Sequence, residues 1–230
     1  MLGLGLSVTS DSGLIEWRPS METSCLGWWP TNGTYTLNES AVAGWEDDSG
    51  SGNHLIQEDE ATQPSGVSGG AVTFDGGTSN QHLDMTTQLT LVGPMTIGIL
   101  LNAQDTTNRI IFGDDDTANN WIRISTESVM QFKFNTSGSK SLTLDVGTTF
   151  GGQQYLVITK DSSDVLRMYV DGVLQENTIS IGIDGDLLLD NMGIRDGGAN
   201  EYGGTISEAM IFRTQDDALT DNIHTRLAAL

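Results

Sequence analysis

The chain has 230 residues, a length that one all-β sandwich or barrel can occupy as a single domain. Its 31 acidic and 10 basic residues give a formal net charge of −21, which repels phosphate backbones and anionic lipid headgroups. Nucleic acid and membrane surfaces are therefore poor candidates as partners. A chain of this length buries roughly 70% of its unfolded surface, so a wholly disordered protein is also excluded.

The N-terminal segment, residues 1–43, differs in composition from the rest of the chain. Leu2, Leu4 and Leu6 alternate with glycine, and Trp28 and Trp29 follow in a stretch rich in Gly, Pro and Thr. We expect an arm that adds a strand to a neighbouring subunit and uses the tryptophans as interface anchors. The alternative is that the leucines form an edge strand of the protein's own sandwich.

Cys25 is the only cysteine, so no internal disulfide and no cysteine-rich zinc site can form. The run from Met1 to Leu6 has no preceding basic residue and is interrupted by glycine, unlike a secretory signal. The sequence therefore predicts a protein that stays in the cytoplasm or leaves the cell by a route other than signal-directed export.

Short runs rich in Val, Ile, Leu and Phe recur between turn clusters, a pattern typical of β-strands. The predicted strands span residues 71–74, 95–101, 109–112, 121–125, 129–134, 141–144, 154–159, 166–170 and 206–212. This many short strands predicts two stacked sheets.

Strict alternation in the runs 121–124 and 130–134 predicts strands with one solvated face, to which Arg123 and Lys133 point. Asp171-Gly172 predicts a tight hairpin turn. One short helix is expected over residues 218–227, with Thr220 or Asp221 as its N-cap.

Five landmarks in chain order carry a family resemblance. They are Asp48-Ser49-Gly50 in the segment 44–55, Phe74-Asp75-Gly76 after a strand, the strand from Pro94, Tyr169-Val170-Asp171-Gly172 in a hairpin, and the closing segment 202–223. Together they resemble the laminin-G-like, concanavalin-A-like jelly roll over residues 44–228. The resemblance implies an all-β sandwich of two antiparallel sheets in a domain at 44–230, with an N-terminal arm and a short C-terminal helix.

Some sandwiches of this kind are retaining glycosidases with carboxylates at alternating positions of one strand, about 5 Å apart. The one dense acidic run here is Glu58-Asp59-Glu60, in a polar loop where adjacent side chains point apart. The three histidines are scattered and no Gly-x-Ser-x-Gly elbow occurs. The sequence therefore predicts a protein that is not an enzyme.

Calcium is the candidate cofactor, because Asp, Asn and loop carbonyl oxygens are the ligands that it prefers. In the pentraxins, which resemble this chain, an acidic–amide pair before a strand binds calcium, and Asn119-Asn120 before Trp121 matches that position. Arg195 stands where a second set of ligands is expected, so we predict a single site formed by Asp114, Asp116, Asn119 or Asp196. The alternative is a solvated Asp-rich turn.

Carbohydrate binding is the commonest function that the resemblance implies, and it calls for loops at the rim with an aromatic platform. Trp121, Asn200 and Tyr202 are the candidate sugar-binding residues. An aromatic residue at the start of a strand is, however, more often part of the core.

The acidic charge, the apolar arm and the resemblance together favour a phage virion surface protein: a capsid decoration, fibre or tail component. Its expected partners are other virion proteins bound through the arm, further copies of itself, and a host cell-surface glycan. Its expected location is the virion, assembled in the host cytoplasm. The alternative is an extracellular bacterial carbohydrate-binding protein related to glycoside hydrolases.

Overall fold

Two antiparallel sheets stack face to face in the computed structural model, which describes residues 16–77, 79–114, 116–135, 138–175, 179–180, 186–195, 198 and 200–230. Sheet A contains β1 (Cys25–Trp29), β5 (Gly66–Ser68), β6 (Ala71–Asp75), β8 (Met95–Ala103), β13 (Gly152–Lys160), β14 (Val165–Val170), β15 (Val173–Leu174), β16 (Ile179–Ser180) and β18 (Gly203–Phe212). Sheet B contains β2 (Tyr35–Asn38), β3 (Ala41–Trp45), β4 (Leu55–Ile56), β7 (Leu83–Leu91), β9 (Arg109–Gly113), β10 (Trp121–Thr126), β11 (Val129–Lys133), β12 (Lys140–Thr143) and β17 (Leu187–Met192).

The strand order of sheet A is β15-β14-β13-β8-β18-β6-β5, with β1 beside β18 and β16 beside β14. The order of sheet B is β12-β11-β10-β9-β17-β7-β4-β3-β2. Two short 3₁₀ turns (Pro19–Met21 and Glu60–Thr62) and one helix, α1 (Asp217–Leu227), complete the described elements. The jelly-roll sandwich predicted from the sequence is confirmed.

The main core lies between the sheets, where the inward side chains of both interdigitate. A smaller apolar cluster lies on the outer side of sheet A, where Leu219 and Ile223 of α1 cover Leu100 of β8. Gly98 leaves room for the helix, because a β-carbon there would lie 2.7 Å from Ile223 Cγ2. Coverage on both faces explains why β8 is a continuous apolar run and not an alternating one.

The predicted turns and outward residues agree with the structure. Asp171 and Gly172 both have positive φ, 49° and 80°, and join β14 to β15 in a two-residue hairpin. Arg123 and Lys133 lie on the face of sheet B opposite the core, as expected from the alternation.

The predicted helix cap is wrong. The N-cap is Asp216, whose Oδ1 accepts a hydrogen bond of 2.8 Å from the Leu219 backbone N–H. Thr220 lies inside the first turn and donates its hydroxyl to the Asp216 carbonyl oxygen. The Asp216 carboxylate lies one residue before the helix, where it can accept from a backbone N–H group of the first turn that has no partner within the helix. A side chain that already lies inside the turn is less well placed to do this.

The placement of residues 25–43 in an arm is also wrong. β1 pairs with β18 in sheet A, and β2 pairs with β3 in sheet B, so the boundary predicted at residue 44 falls inside β3. Trp28 and Trp29 are 6% and 0% exposed, so neither is available to anchor a partner. Leu2, Leu4 and Leu6 lie outside the described residues.

A buried ion pair joins strand β18 to helix α1. Glu208 of β18 is fully buried, and its carboxylate binds the Arg226 guanidinium of α1 through both oxygens. The same carboxylate accepts hydrogen bonds from Trp28 Nε1 at 2.9 Å and from the Thr31 backbone N–H at 3.2 Å. One carboxylate therefore holds β1, β18 and the helix together.

Glu208→Gln should lower the free energy of unfolding by about 3–5 kcal/mol, because Arg226 loses its partner while it remains largely buried. Urea denaturation followed by tryptophan fluorescence measures this loss. Arg167→Gln is the control: it removes the partly exposed pair with Asp161, and we expect it to cost about 1 kcal/mol or less. Equal losses in the two variants would contradict the assigned role of Glu208.

The Cys25 thiol should be unreactive in the folded protein. It is 5% exposed, and burial together with the nearby Asp47 carboxylate raises its pKa to about 12. The reactive thiolate is therefore scarce at pH 8. A thiol-reactive disulfide reagent should modify Cys25 only after urea is added, and rapid modification of native protein would contradict this prediction.

Candidate functional site

A continuous row of outward residues crosses sheet B. Each residue of the row is the register partner of the next one on the neighbouring strand. In order across the sheet they are Lys133, Trp121, Gly113, Asn191, Asp84, Ile56, Gly44 and Thr36. Paired residues in neighbouring strands share a face, and strands lie about 4.8 Å apart. The row defines the outer face of sheet B, and the candidate site lies on it.

An acidic cluster stands at the centre of this row. Asp114, Asp116 and Asp190 each offer one carboxylate oxygen, and these oxygens lie within 4.8 Å of one another. Asp114 directly follows Gly113 of β9, and Asp190 directly precedes Asn191 of β17. Because β9 and β17 are paired neighbours, the fold brings together carboxylates from distant parts of the sequence.

The loop after β9 is held by Asp114, which is 1% exposed. Its Oδ1 accepts from the backbone N–H groups of Asp116 (3.0 Å) and Thr117 (3.2 Å). Its Oδ2 accepts from Thr117 Oγ1 (3.3 Å) and from Asn120 Nδ2 (2.7 Å). These bonds fix the Asp114 carboxylate and the loop backbone at Asp116 before any ligand arrives.

Asn191 adds a further oxygen beside the cluster. Its side chain is fully buried, and Nδ2 donates to Asp190 Oδ1 at 3.2 Å. Within the part of the chain that the structure describes, its Oδ1 has no hydrogen-bond partner, although an unsatisfied buried oxygen costs about 1–3 kcal/mol. A hard cation held by the carboxylates could satisfy this amide oxygen, since calcium takes six to eight oxygen ligands.

Two of the four predicted metal ligands, Asp114 and Asp116, belong to the cluster. The Asn119 backbone N–H donates to Thr117 Oγ1, and its neighbour Asn120 makes the side-chain contact with Asp114. Asp196 lies outside the described residues. Asp190 was missed because it occupies a strand distant in the sequence, and only the pairing of β17 with β9 reveals it.

Two arginines lie beside the cluster on the same face. Arg123 stacks on Trp121, with its guanidinium carbon 4.3 Å from the ring centroid, and donates from Nε and Nη2 to Gln131 Oε1 at 3.0 and 2.6 Å. Arg195 lies over Gly113, where an added β-carbon would be only 3.0 Å from the Arg195 Cα. The absence of a side chain at Gly113 therefore brings Arg195 onto the sheet.

The residues predicted to bind sugar do not form an aromatic platform. Trp121 is 5% exposed, with the Arg123 guanidinium over its ring. Tyr202 is fully buried, packs edge-on against Phe74, and donates its hydroxyl to the Thr205 carbonyl oxygen at 3.3 Å. Asn200 is partly exposed, and its carbonyl accepts from Ile110 N–H near the start of β9, whereas the acidic cluster follows the end of that strand. Both aromatic assignments are wrong because the apolar rings are used for packing.

A cavity of about 200 Å³ opens at the other end of the row. Thr36, His54, Ile56 and Thr86 are among its lining residues. The His54 ring is held in place by the Asp47 backbone N–H, which donates to Nδ1 at 3.1 Å. Sheet B thus presents a polar surface that runs from the arginines past the acidic cluster to this cavity.

Comparison with solved structures shows the fold. Botulinum neurotoxin type C, whose cell entry depends on interaction with two ganglioside molecules, matches with a TM-score of 0.59 and 16% identity over 89% of this chain and 51% of that one. The ligand-binding domain of botulinum neurotoxin serotype D, solved in complex with N-acetylneuraminic acid, matches with a TM-score of 0.58 and 14% identity over 90% of this chain and 51% of that one. Trypanosoma rangeli sialidase matches with a TM-score of 0.56 and 11% identity over 90% of this chain and 33% of that one.

The chain therefore spans about half the length of these toxin structures and a third of the sialidase. No protein-family model and no curated protein matches the sequence. Among the described residues no helix is long and apolar enough to cross a membrane. At these identities the structural matches establish the jelly-roll sandwich and nothing finer.

The acidic cluster should bind one calcium ion. Titration calorimetry should give a single event with a Kd of about 10⁻⁴–10⁻³ M, and the melting temperature should rise with calcium by mass action. Asp190→Asn should abolish both effects. Asp221→Asn, which removes the same charge from an exposed position on α1, should leave both unchanged. The absence of heat and of a thermal shift at millimolar calcium would mean that the cluster is only a solvated turn.

Proposed function

We propose that this protein is a non-catalytic glycan-binding module whose binding surface is the outer face of sheet B. The observation that carries the proposal is the acidic cluster of Asp114, Asp116 and Asp190 beside the buried Asn191 oxygen that has no hydrogen-bond partner among the described residues. A cation held there keeps part of its coordination shell open toward the face, where sugar hydroxyls can complete it. The gangliosides and N-acetylneuraminic acid named for structures of the same fold support this class of ligand.

The carboxylates of the described residues favour binding over bond cleavage. In the acidic run 58–60, Asp59 caps a 3₁₀ turn by accepting from the Ala61 backbone N–H at 3.1 Å. The three cluster carboxylates each place one oxygen within 4.8 Å of the others. Convergence of this kind suits a shared cation.

We further propose that the module is displayed on a phage virion, as a capsid decoration, fibre or tail component. The net charge of −21 keeps a densely repeated surface protein from aggregating, and the Leu2, Leu4 and Leu6 pattern suits strand addition to another virion protein or to a second copy. The alternative is that the module belongs to an extracellular bacterial protein with the same binding activity.

A glycan array probed with labelled protein tests the binding activity. We expect binding to a subset of glycans in millimolar calcium and at least a tenfold weaker signal in EDTA. Asp190→Asn should lose binding, whereas Asp221→Asn should retain it. A blank array for the wild-type protein with calcium present would end the proposal, and new reducing ends released from the bound glycans would reveal an enzyme.

Removal of residues 1–15 tests the arm. The truncation spares Trp17, which packs against Phe212 and donates to Glu22 Oε1 at 2.8 Å. We expect the free energy of unfolding to stay within about 0.5 kcal/mol of the full chain, because every described strand begins at Cys25 or later. Sedimentation velocity should show that assembly is lost. A truncated chain that unfolds, or that assembles as before, would contradict the docking role.

A further inference from the structure

Arg123 and Arg195 form a cationic pair in a strongly acidic protein, and this pairing calls for an explanation. Four of the ten cations form ion pairs with carboxylates: Arg109 with Asp105, Lys160 with Asp164, Arg167 with Asp161 and Arg226 with Glu208. Within the described ranges, no ion pair joins either Arg123 or Arg195 to an acidic side chain. What distinguishes these two from the other cations without an ion pair is that the charge of Arg195 acts on the Arg123 guanidinium, which contacts the neutral amide of Gln131.

The pairing has an electrostatic cost. Burial, followed by the positive charge of Arg195, lowers the pKa of the Arg123 guanidinium. Arg195 Nε is buried and has no hydrogen-bond partner among the described residues. A charged donor left unsatisfied costs more than a neutral one, so the arrangement is stabilised when an anion binds between the two side chains.

The pair is held in place by the sheet. The Arg123 guanidinium stacks on the Trp121 ring, and two hydrogen bonds to Gln131 fix the orientation of that guanidinium. Gln131 is fixed in turn, because its Nε2 donates to Ser141 Oγ at 3.0 Å. Little side-chain entropy remains to be lost on binding, which favours affinity for a small ligand.

We propose that Arg123 and Arg195 bind the carboxylate of an acidic sugar, which makes the glycan recognised by the outer face of sheet B a sialylated or uronic-acid glycan. A planar carboxylate matches the two parallel N–H groups of a guanidinium. This inference rests on the proposed glycan-binding function and names its substrate class. Polyanions such as nucleic acid fit less well, because the net charge of −21 repels an extended row of phosphates while a single carboxylate needs only the local pair.

The acidic cluster and the arginine pair then have complementary tasks. Trp121, under Arg123, is the register partner of Gly113, and Asp114 follows Gly113 directly. The backbone positions that carry the two sites therefore lie on neighbouring strands, which are about 5 Å apart. A single terminal sugar can place its hydroxyls toward a cation at the cluster and its carboxylate toward the arginines.

The sharpest test is Gln131→Glu, which places a carboxylate where Arg123 already has a partner at 2.6 Å. An internal anion competes with the ligand, so we expect the Kd for sialyllactose in calcium to rise at least tenfold while the fold remains intact. Gln153→Glu is the matched control, because it adds the same charge at an exposed position of β13 in sheet A. Its Kd should equal that of the wild-type protein.

Parallel titrations with lactose, sulfated lactose, sialyllactose, a glucuronic-acid disaccharide and a short DNA duplex separate the outcomes. Binding of either carboxylated sugar, with weaker binding of lactose and loss in Gln131→Glu, supports the inference. Equal affinity for lactose and sialyllactose overturns it while the glycan-binding function stands. A preference for sulfated lactose or DNA overturns the choice of carboxylate.

Side-chain NMR distinguishes a failure of the arginine site from a failure of the glycan-binding function. Addition of sodium glucuronate should shift the Arg123 and Arg195 Nε–Hε signals and leave that of Arg167 unchanged. If the protein binds no sugar on the array but shows these shifts, the carboxylate site stands and the proposed glycan-binding function is overturned. Unshifted signals at saturating glucuronate and sialyllactose overturn the arginine site.

Discussion

Strand register in sheet B is the constraint on which the candidate site depends. Phe112, Ile122 and Phe132 occupy matched inward positions on three neighbouring strands and are fully buried. A slip of one residue in any of these strands would move its apolar side chains into water and its polar ones into the core. The core thereby determines that Gly113 and Trp121 lie together on the outer face, although no direct interaction on that face is strong enough to do so.

Acidic and basic residues have different roles in this protein. The surface carries many carboxylates that repel one another weakly through water, whereas the few cations serve local purposes. Arg226 neutralises a buried carboxylate and joins the helix to the sheets. Arg123 and Arg195 instead leave their charge available at the surface of sheet B. Because the cations are few, their positions indicate a function more clearly than those of the acidic residues do.

Local patterns predicted the sandwich well. Alternating runs such as 121–124, the Asp171-Gly172 turn and the apolar run of β8 correspond to strands and a hairpin at nearly the predicted bounds. The strands that were missed, such as β7 and β17, mix Asp, Asn, Thr and Gln into their sequences, because their outer sides form the polar face and not a core. The burial of Trp28 and Trp29 was missed because partners on β18 and β9 lie far away in the sequence.

The candidate site was only half predictable for the same reason. The turn-forming Asp114 loop can be recognised locally, since one carboxylate accepts from donors within six residues. Asp190 joins that loop only through the pairing of two strands, and Arg195 only because Gly113 has no side chain. Single-sequence patterns contain no information about these long-range contacts.

The pairing of β1 with β18 also has a consequence for biosynthesis. The Trp28 indole meets its hydrogen-bond acceptor on Glu208, 180 residues later in the chain, and β18 separates β6 from β8 in sheet A. During synthesis, β1 therefore has no strand partner in the described sheets until β18 has been made. Contacts of such high sequence separation make completion of the sandwich slow.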